Sequence, residues 1–215
     1  MARLLKIDPL HYPKLDASDL CYHIGEYTAG GGFGASATNQ SILNLKKKLT
    51  ASTQQLYYKQ TAINQWGDAV ASVLSLEAAA ASVTFIPAPC SKPLGHPEYD
   101  DRMLRVMQRV AQHLPAGSTL DVRLVLNTVT ERQAQHEGER LSIEDIKRSL
   151  SVDEAQLDPP LRGEVVVIDD VFTQGGTFKA MQSMLATLPG VQRVAGLFLA
   201  KTVWPTVELD DEPLF

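Results

Sequence analysis

Cysteine is scarce in this sequence: Cys21 and Cys90 are the two in 215 residues, and neither belongs to a CxxC or Cys/His cluster. That scarcity argues against a disulfide framework or a structural zinc site, and sparse thiols suit a reducing compartment. Long hydrophobic runs are missing too. The most apolar region, Ala69 to Pro89, carries Glu77 inside it and changes character midway, so it reads as a buried helix followed by a strand and not as a membrane span. The opening "MARLLKIDPLHYPKL" has too short an apolar stretch for a signal peptide and lacks a small-residue cleavage site, and the expectation is a cytoplasmic protein. Basic excess is absent: the net charge is −5 and the pI about 5.5, against a dedicated nucleic-acid binder, although Lys46, Lys47 and Lys48 form a local basic run. No G-x-x-x-x-G-K-[ST] occurs, which argues against a P-loop ATPase, and no G-x-G-x-x-G stands between a strand and a helix.

What is present suits one substantial domain, or one domain with a small appendage. Residues 1–37 read as irregular, with Pro9 and Pro13 and then the glycine-rich "GEYTAGGGFG". A helix follows, capped by Ser36, Thr38 or Asn39, with Ile42, Leu43, Leu45 and Leu49 as its apolar side. A second helix is expected over about 54–80 and a strand over Ser82 to Pro87. The loop "APCSKPLGHPEYD" leads to a helix from Asp100 to Leu114 striped by Met103, Met107, Val110 and Leu114. A strand near Leu120 to Leu126 precedes a polar, charged segment, 127–161, with one short helix around Ile143 to Leu150; a connection of that length is usually a functional loop or lid. The last elements are a strand at Val165 to Ile168, a helix to about Leu188, and a strand at Val194 to Leu199. That order predicts an α/β domain with a parallel sheet flanked by helices, comprising a helical or irregular N-terminal hood over 1–80 and a core over 81–215.

The segment "VVVIDDVFTQGGTFKAM", Val165 to Met181, carries the most chemistry. A continuous apolar run is a strand buried on both faces, and ligands of open α/β sheets bind beyond the carboxyl ends of the strands. Asp169 and Asp170 are therefore expected at the ligand edge, able to accept from sugar hydroxyls. "TQGGT", Thr173 to Thr177, brings backbone N–H groups and a helix N-terminus to the same place, where an anion is favoured. An acid that merely caps the turn, a Walker-B strand and a receiver-domain acid pair are alternative readings of the acids alone.

With its downstream residues included, the segment resembles the phosphoribosyl-diphosphate (PRPP) motif of type I phosphoribosyltransferases. The resemblance covers roughly residues 82–202 and implies the Rossmann-like fold of that family. It assigns Asp169 and Asp170 to the ribose hydroxyls, and Thr173, Gln174, Gly175, Gly176 and Thr177 to the 5′-phosphate. Gln174 departs from the pattern, where a small hydroxyl residue or Arg is usual. Pyrophosphate would be received by Ser91, Lys92 and Arg102, with Mg²⁺ held mainly by substrate oxygens and the acceptor a nitrogen nucleophile. Lid contacts would come from Arg132, His136, Arg140, Lys147 and Arg148. An acceptor hood would draw on Tyr27, Phe33 and Asn39, or on Lys201 and Trp204.

The P-x-P loop also resembles the competence protein F-like branch of the family. "PAPCSKPLGHPEYDDRM" is similar to phosphoribosyltransferase-like proteins of bacterial phage-defence loci, including retron-associated effectors. Those resemblances imply an alternative: a non-catalytic sensor or effector with a protein or nucleic-acid partner, with Lys46 to Lys48 as a contact. A homodimer, and a generic nucleotide-binding α/β domain, are further alternatives.

Overall fold

The computed structural model describes residues 2–131 and 141–205. Its centre is a six-stranded sheet in the order β1-β2-β8-β7-β3-β4. These strands are β1 (Leu5–Lys6), β2 (Cys21–Thr28), β3 (Val83–Pro87), β4 (Asp121–Val122), β7 (Glu164–Phe172) and β8 (Arg193–Val203). Every neighbouring pair is parallel except β1 with β2. A separate antiparallel pair, β5 (Leu126–Thr128) and β6 (Leu150–Val152), lies within the long segment expected as a lid. The arrangement is a mostly parallel α/β sheet flanked by helices, compatible with a Rossmann-like fold. No helix among the described residues is long and apolar enough to cross a membrane.

Alternation along the strands divides the core in two, because successive side chains of a strand face opposite ways. Val165 and Val167 of β7 join Phe178, Met181 and Leu185 of α6 (Gly176–Leu185) and Ile146 of α5 (Ile143–Arg148). Ile168 of the same strand joins the opposite layer. That layer holds Ile42 and Leu45 of α1 (Ala37–Leu45), Ile63, Trp66 and Val70 of α2 (Thr53–Val73), and Val106, Met107 and Val110 of α4 (Arg102–Ala111). Helices thus cover both faces, which is why the inner strands read as unbroken apolar runs.

Several local expectations change. Residues 1–37 are not wholly irregular: β2 pairs along its length with β8, so the expected hood shares the main sheet. A register with a distant strand leaves no mark in the segment's own sequence beyond the alternation of Cys21 and His23, both buried. The helix expected over 54–80 is two, α2 and α3 (Leu76–Ser82), broken where Leu74 turns to extended backbone and Ser75 begins the new helix. The single strand near Leu120 to Leu126 is likewise split between β4 and β5, which belong to different sheets. β7 runs on to Phe172, past the point where it was expected to stop.

The least expected member of the core is Lys59, 1% exposed. All three ammonium donors are used: the Leu45 carbonyl at 2.6 Å, the Lys47 carbonyl at 2.9 Å and the Asp100 carboxylate at 2.7 Å. It satisfies carbonyls at the C-terminal end of α1 that have no intrahelical partner, and fixes that end against α2 and the loop before α4. Burial pulls the ammonium below its ordinary range, opposed by Asp100. Replacing Lys59 by Met strands Asp100 and both carbonyls, and should cost about 3 kcal/mol of unfolding free energy in urea titrations.

Candidate functional site

β3 is the shorter neighbour of β7: Pro87 pairs with Ile168, and the Ala88 N–H donates to the Ile168 carbonyl at 2.8 Å. Asp169 and Asp170 are the next two residues, so they stand where β7 loses one neighbour. Strand alternation separates them. Asp170 falls on the face of α1 and α4 and is 5% exposed. Its carboxylate accepts from Arg102 Nε at 3.0 Å and Nη2 at 2.7 Å, with Lys46 Nζ 3.1 Å away. Arg102 Nη1 reaches Asp100 at 2.8 Å, and Asp100 meets Lys59. Asp169, partly buried, accepts from the Asp170 backbone N–H at 2.7 Å.

The two acids titrate apart. Burial pushes both carboxyls up, and the charge of Asp170 pushes Asp169 further, to about 6. At Asp170 the nearby Lys46 and Arg102 outweigh burial and hold the carboxyl down at about 2. One acid is a committed anion; the other changes protonation just below neutral pH. Such a divergence marks sites where carboxylates take different roles.

Beyond Phe172 the chain bends through Thr173 to Gly175 into α6. Gly175 has φ of +80°, and a Cβ there would come within 2.7 Å of Leu15; both the backbone and the space demand glycine. No side chain caps α6 and no acid occupies its first turn. Among the described residues the N–H groups of Gly176, Thr177 and Phe178 meet no backbone acceptor. A Cβ on Gly176 would lie 3.2 Å from Lys14 Nζ, so an ammonium stands over this helix start. A cation beside the positive end of a helix is unfavourable unless an anion joins them.

The third element is the loop between β3 and α4, tied down at several points. The Asp100 N–H donates to Cys90 Sγ at 3.4 Å, and Thr128 Oγ1 to the Cys90 carbonyl at 2.7 Å. Lys48 bonds Glu98 at 2.7 Å. Lys92 pairs with Glu131 and lies 3.8 Å from Glu98. Ser91, beside it, is exposed.

Of the residues expected at the site, the structure brings together Asp169, Asp170 and Arg102 at the β7 edge, with Thr173 to Thr177 following directly. Arg102 is engaged by two carboxylates, and Lys92 by two others. In the lid, Lys147 and Arg148 pair with Glu144 and Asp145 on their own helix; Arg132, His136 and Arg140 lie outside the described residues. Asn39 is fully buried, bonding Thr28 N–H and C=O and the Gly32 carbonyl, so it clamps the glycine-rich turn. Tyr27 packs on the core, Phe33 and Trp204 are exposed, and Lys201 lies 3.8 Å from Glu26.

Four residues escaped the sequence reading as parts of this site. Lys46 belonged to a visible basic run, and Asp100 to an acidic pair before a helix. Lys59 and Lys14 carried no signal, because their positions come from packing. No model of a known protein family matches the chain, and comparison with curated proteins finds no match.

The opposed shifts have opposite consequences for stability. Asp169, raised above its unfolded value, favours folding at low pH, and that contribution is lost as pH climbs through about 6. Asp170, lowered, favours folding above the ordinary carboxylate range and loses that contribution as pH falls towards 2. Unfolding curves should show wild type losing ground to Asp169→Asn between pH 4 and 7. Asp170→Asn should be destabilised by about 3 kcal/mol at pH 7, since Lys46 and Arg102 lose their shared anion.

Proposed function

We propose that this protein binds PRPP at the carboxyl edge of β7 and transfers its phosphoribosyl group to a nitrogen acceptor, on a type I phosphoribosyltransferase fold. One observation carries the reading: an uncapped helix start beneath the Lys14 ammonium directly follows a strand-end acid whose neighbour is a fixed anion. A sugar phosphate complements that pattern. The N–H groups of Gly176 and Thr177, with Lys14, take the 5′-phosphate, and ionised Asp169 accepts from a ribose hydroxyl.

In the reaction the acceptor nitrogen bonds to ribose C1 as the bond from C1 to the pyrophosphate oxygen breaks. The electron pair leaves on pyrophosphate, and the nitrogen loses its proton. Lys46, the more exposed cation on Asp170, is placed to shift towards the departing anion, while Arg102 stays between its two acids. A Mg²⁺ accompanying PRPP would be held mainly by the substrate and would supply positive charge to the leaving pyrophosphate. Among the described residues no group of three His, Cys, Asp or Glu side chains is placed to hold a metal.

A second reading has its own support. Asp170 and Lys92 are each neutralised by two opposite charges, as befits a non-catalytic effector that binds a ligand without turning it over, in a cytoplasmic assembly with a protein or nucleic acid.

Calorimetric titration with Mg-PRPP separates these readings from error. Binding should strengthen from pH 5 to 7 as Asp169 ionises, and Asp169→Asn and Lys14→Met should each weaken it about tenfold. Pyrophosphate release with a panel of nitrogen acceptors then distinguishes enzyme from effector. No heat at millimolar PRPP would reject both.

A further inference from the structure

A groove of about 520 Å³ lies between α1, α2 and the glycine-rich turn. That volume is within the range of small-molecule sites, about 300–1,000 Å³. Three carboxamides line it, those of Gln40, Asn44 and Gln65, together with two aromatic rings, Phe33 and Tyr58. Both rings are unusually open, 49% and 43% exposed. The one charged lining residue is Lys47, whose ammonium stands 5.0 Å from the centre of the Tyr58 ring. The Asn44 side-chain oxygen is buried without a hydrogen-bond partner among the described residues. None of these residues is among those around Asp169 and Asp170.

Each chemical type selects part of a ligand. Carboxamides present a donor and an acceptor side by side, which matches the edge of a nucleobase. Exposed aromatic faces stack on any base with little sequence preference. A cation with no acid beside it in the groove takes an anion. We propose that the groove is a binding site for a nucleoside monophosphate. The base lies among the carboxamides and rings, and the phosphate meets Lys47. This site does not depend on the reading of the β7 edge.

The test is calorimetry and ligand-observed NMR with AMP, GMP, CMP and UMP on the full chain. The proteins compared are wild type, Lys47→Met, Tyr58→Ala and Asp169→Asn, with folding verified by circular dichroism and thermal melting. At least one nucleotide should bind saturably, at one equivalent in the Asp169→Asn protein, where the β7 edge is disabled. Lys47→Met should weaken it about tenfold and bring it close to the affinity of the nucleoside without phosphate, Tyr58→Ala should weaken it further, and Asp169→Asn should leave it unchanged. Tyr58 is exposed, and Lys47 is half-buried with its ammonium against that ring rather than in the core, so these variants should melt like wild type. Absence of saturable binding by all four nucleotides at millimolar concentration overturns the proposal. So does binding that survives both groove substitutions, or binding lost in Asp169→Asn, which would move the ligand to the β7 edge.

Discussion

Five alternating charges hold the carboxyl end of β7 in place: Lys59, Asp100, Arg102, Asp170 and Lys46. Lys59 and Asp170 are buried, and an isolated charge at such depth is far more costly than a paired one. Each ion therefore dictates the position of the next. The chain begins in α2, crosses the loop before α4, enters α4 at its first residue, touches β7 and returns to the end of α1. Helix packing, loop path and strand end are thereby made mutually dependent, and the carboxylate of Asp170 is the point at which they meet.

One result is a division of labour between adjacent acids. Asp170 is locked as an anion by its cations, and its negative charge, with burial, keeps the proton on Asp169 up to about pH 6. A second result is that the cations nearest Asp170 are occupied. Charge at this edge is arranged in matched pairs on the α1 and α4 side, while the α6 side presents the Lys14 ammonium, 3.5 Å from the Leu141 carbonyl, and N–H groups that meet no acid among the described residues. The asymmetry gives the edge a direction, with its unmet demand for an anion at the start of α6.

The sequence disclosed elements more readily than partnerships. Val165 to Ile168, with two acids and then small residues after it, was legible as a strand leading to a bend, because a doubly covered strand must be apolar; that the strand continues to Phe172 was not. The α4 stripe was legible for the same kind of reason, Met103, Met107 and Val110 recurring at the helical period. β2 was hidden, since its bonds are to β8, some 170 residues away. Arg102 was expected to receive a leaving group, and it stands beside Asp170. Its occupation by Asp100 and Asp170 was not visible, because i to i+2 spacing does not reveal where a guanidinium points. Lys59 looked like any surface lysine on a polar helix; only the meeting of α1 and α2 makes it interior.

The sheet ends on both sides in strands of two residues, β1 and β4. Free borders of a sheet are where foreign backbones attach, and their hazard grows with the length of unpaired amide and carbonyl rows. Here β1 covers β2 only at Tyr22 and His23, β4 covers β3 only at Thr84 and Phe85, and β7 outruns β3 beyond Ile168, so the borders are stepped and not straight. A backbone arriving at the β1 side would meet a stepped border, two residues of β1 and then the outer side of β2, whose far end is already closed by the Asn39 side chain on Thr28.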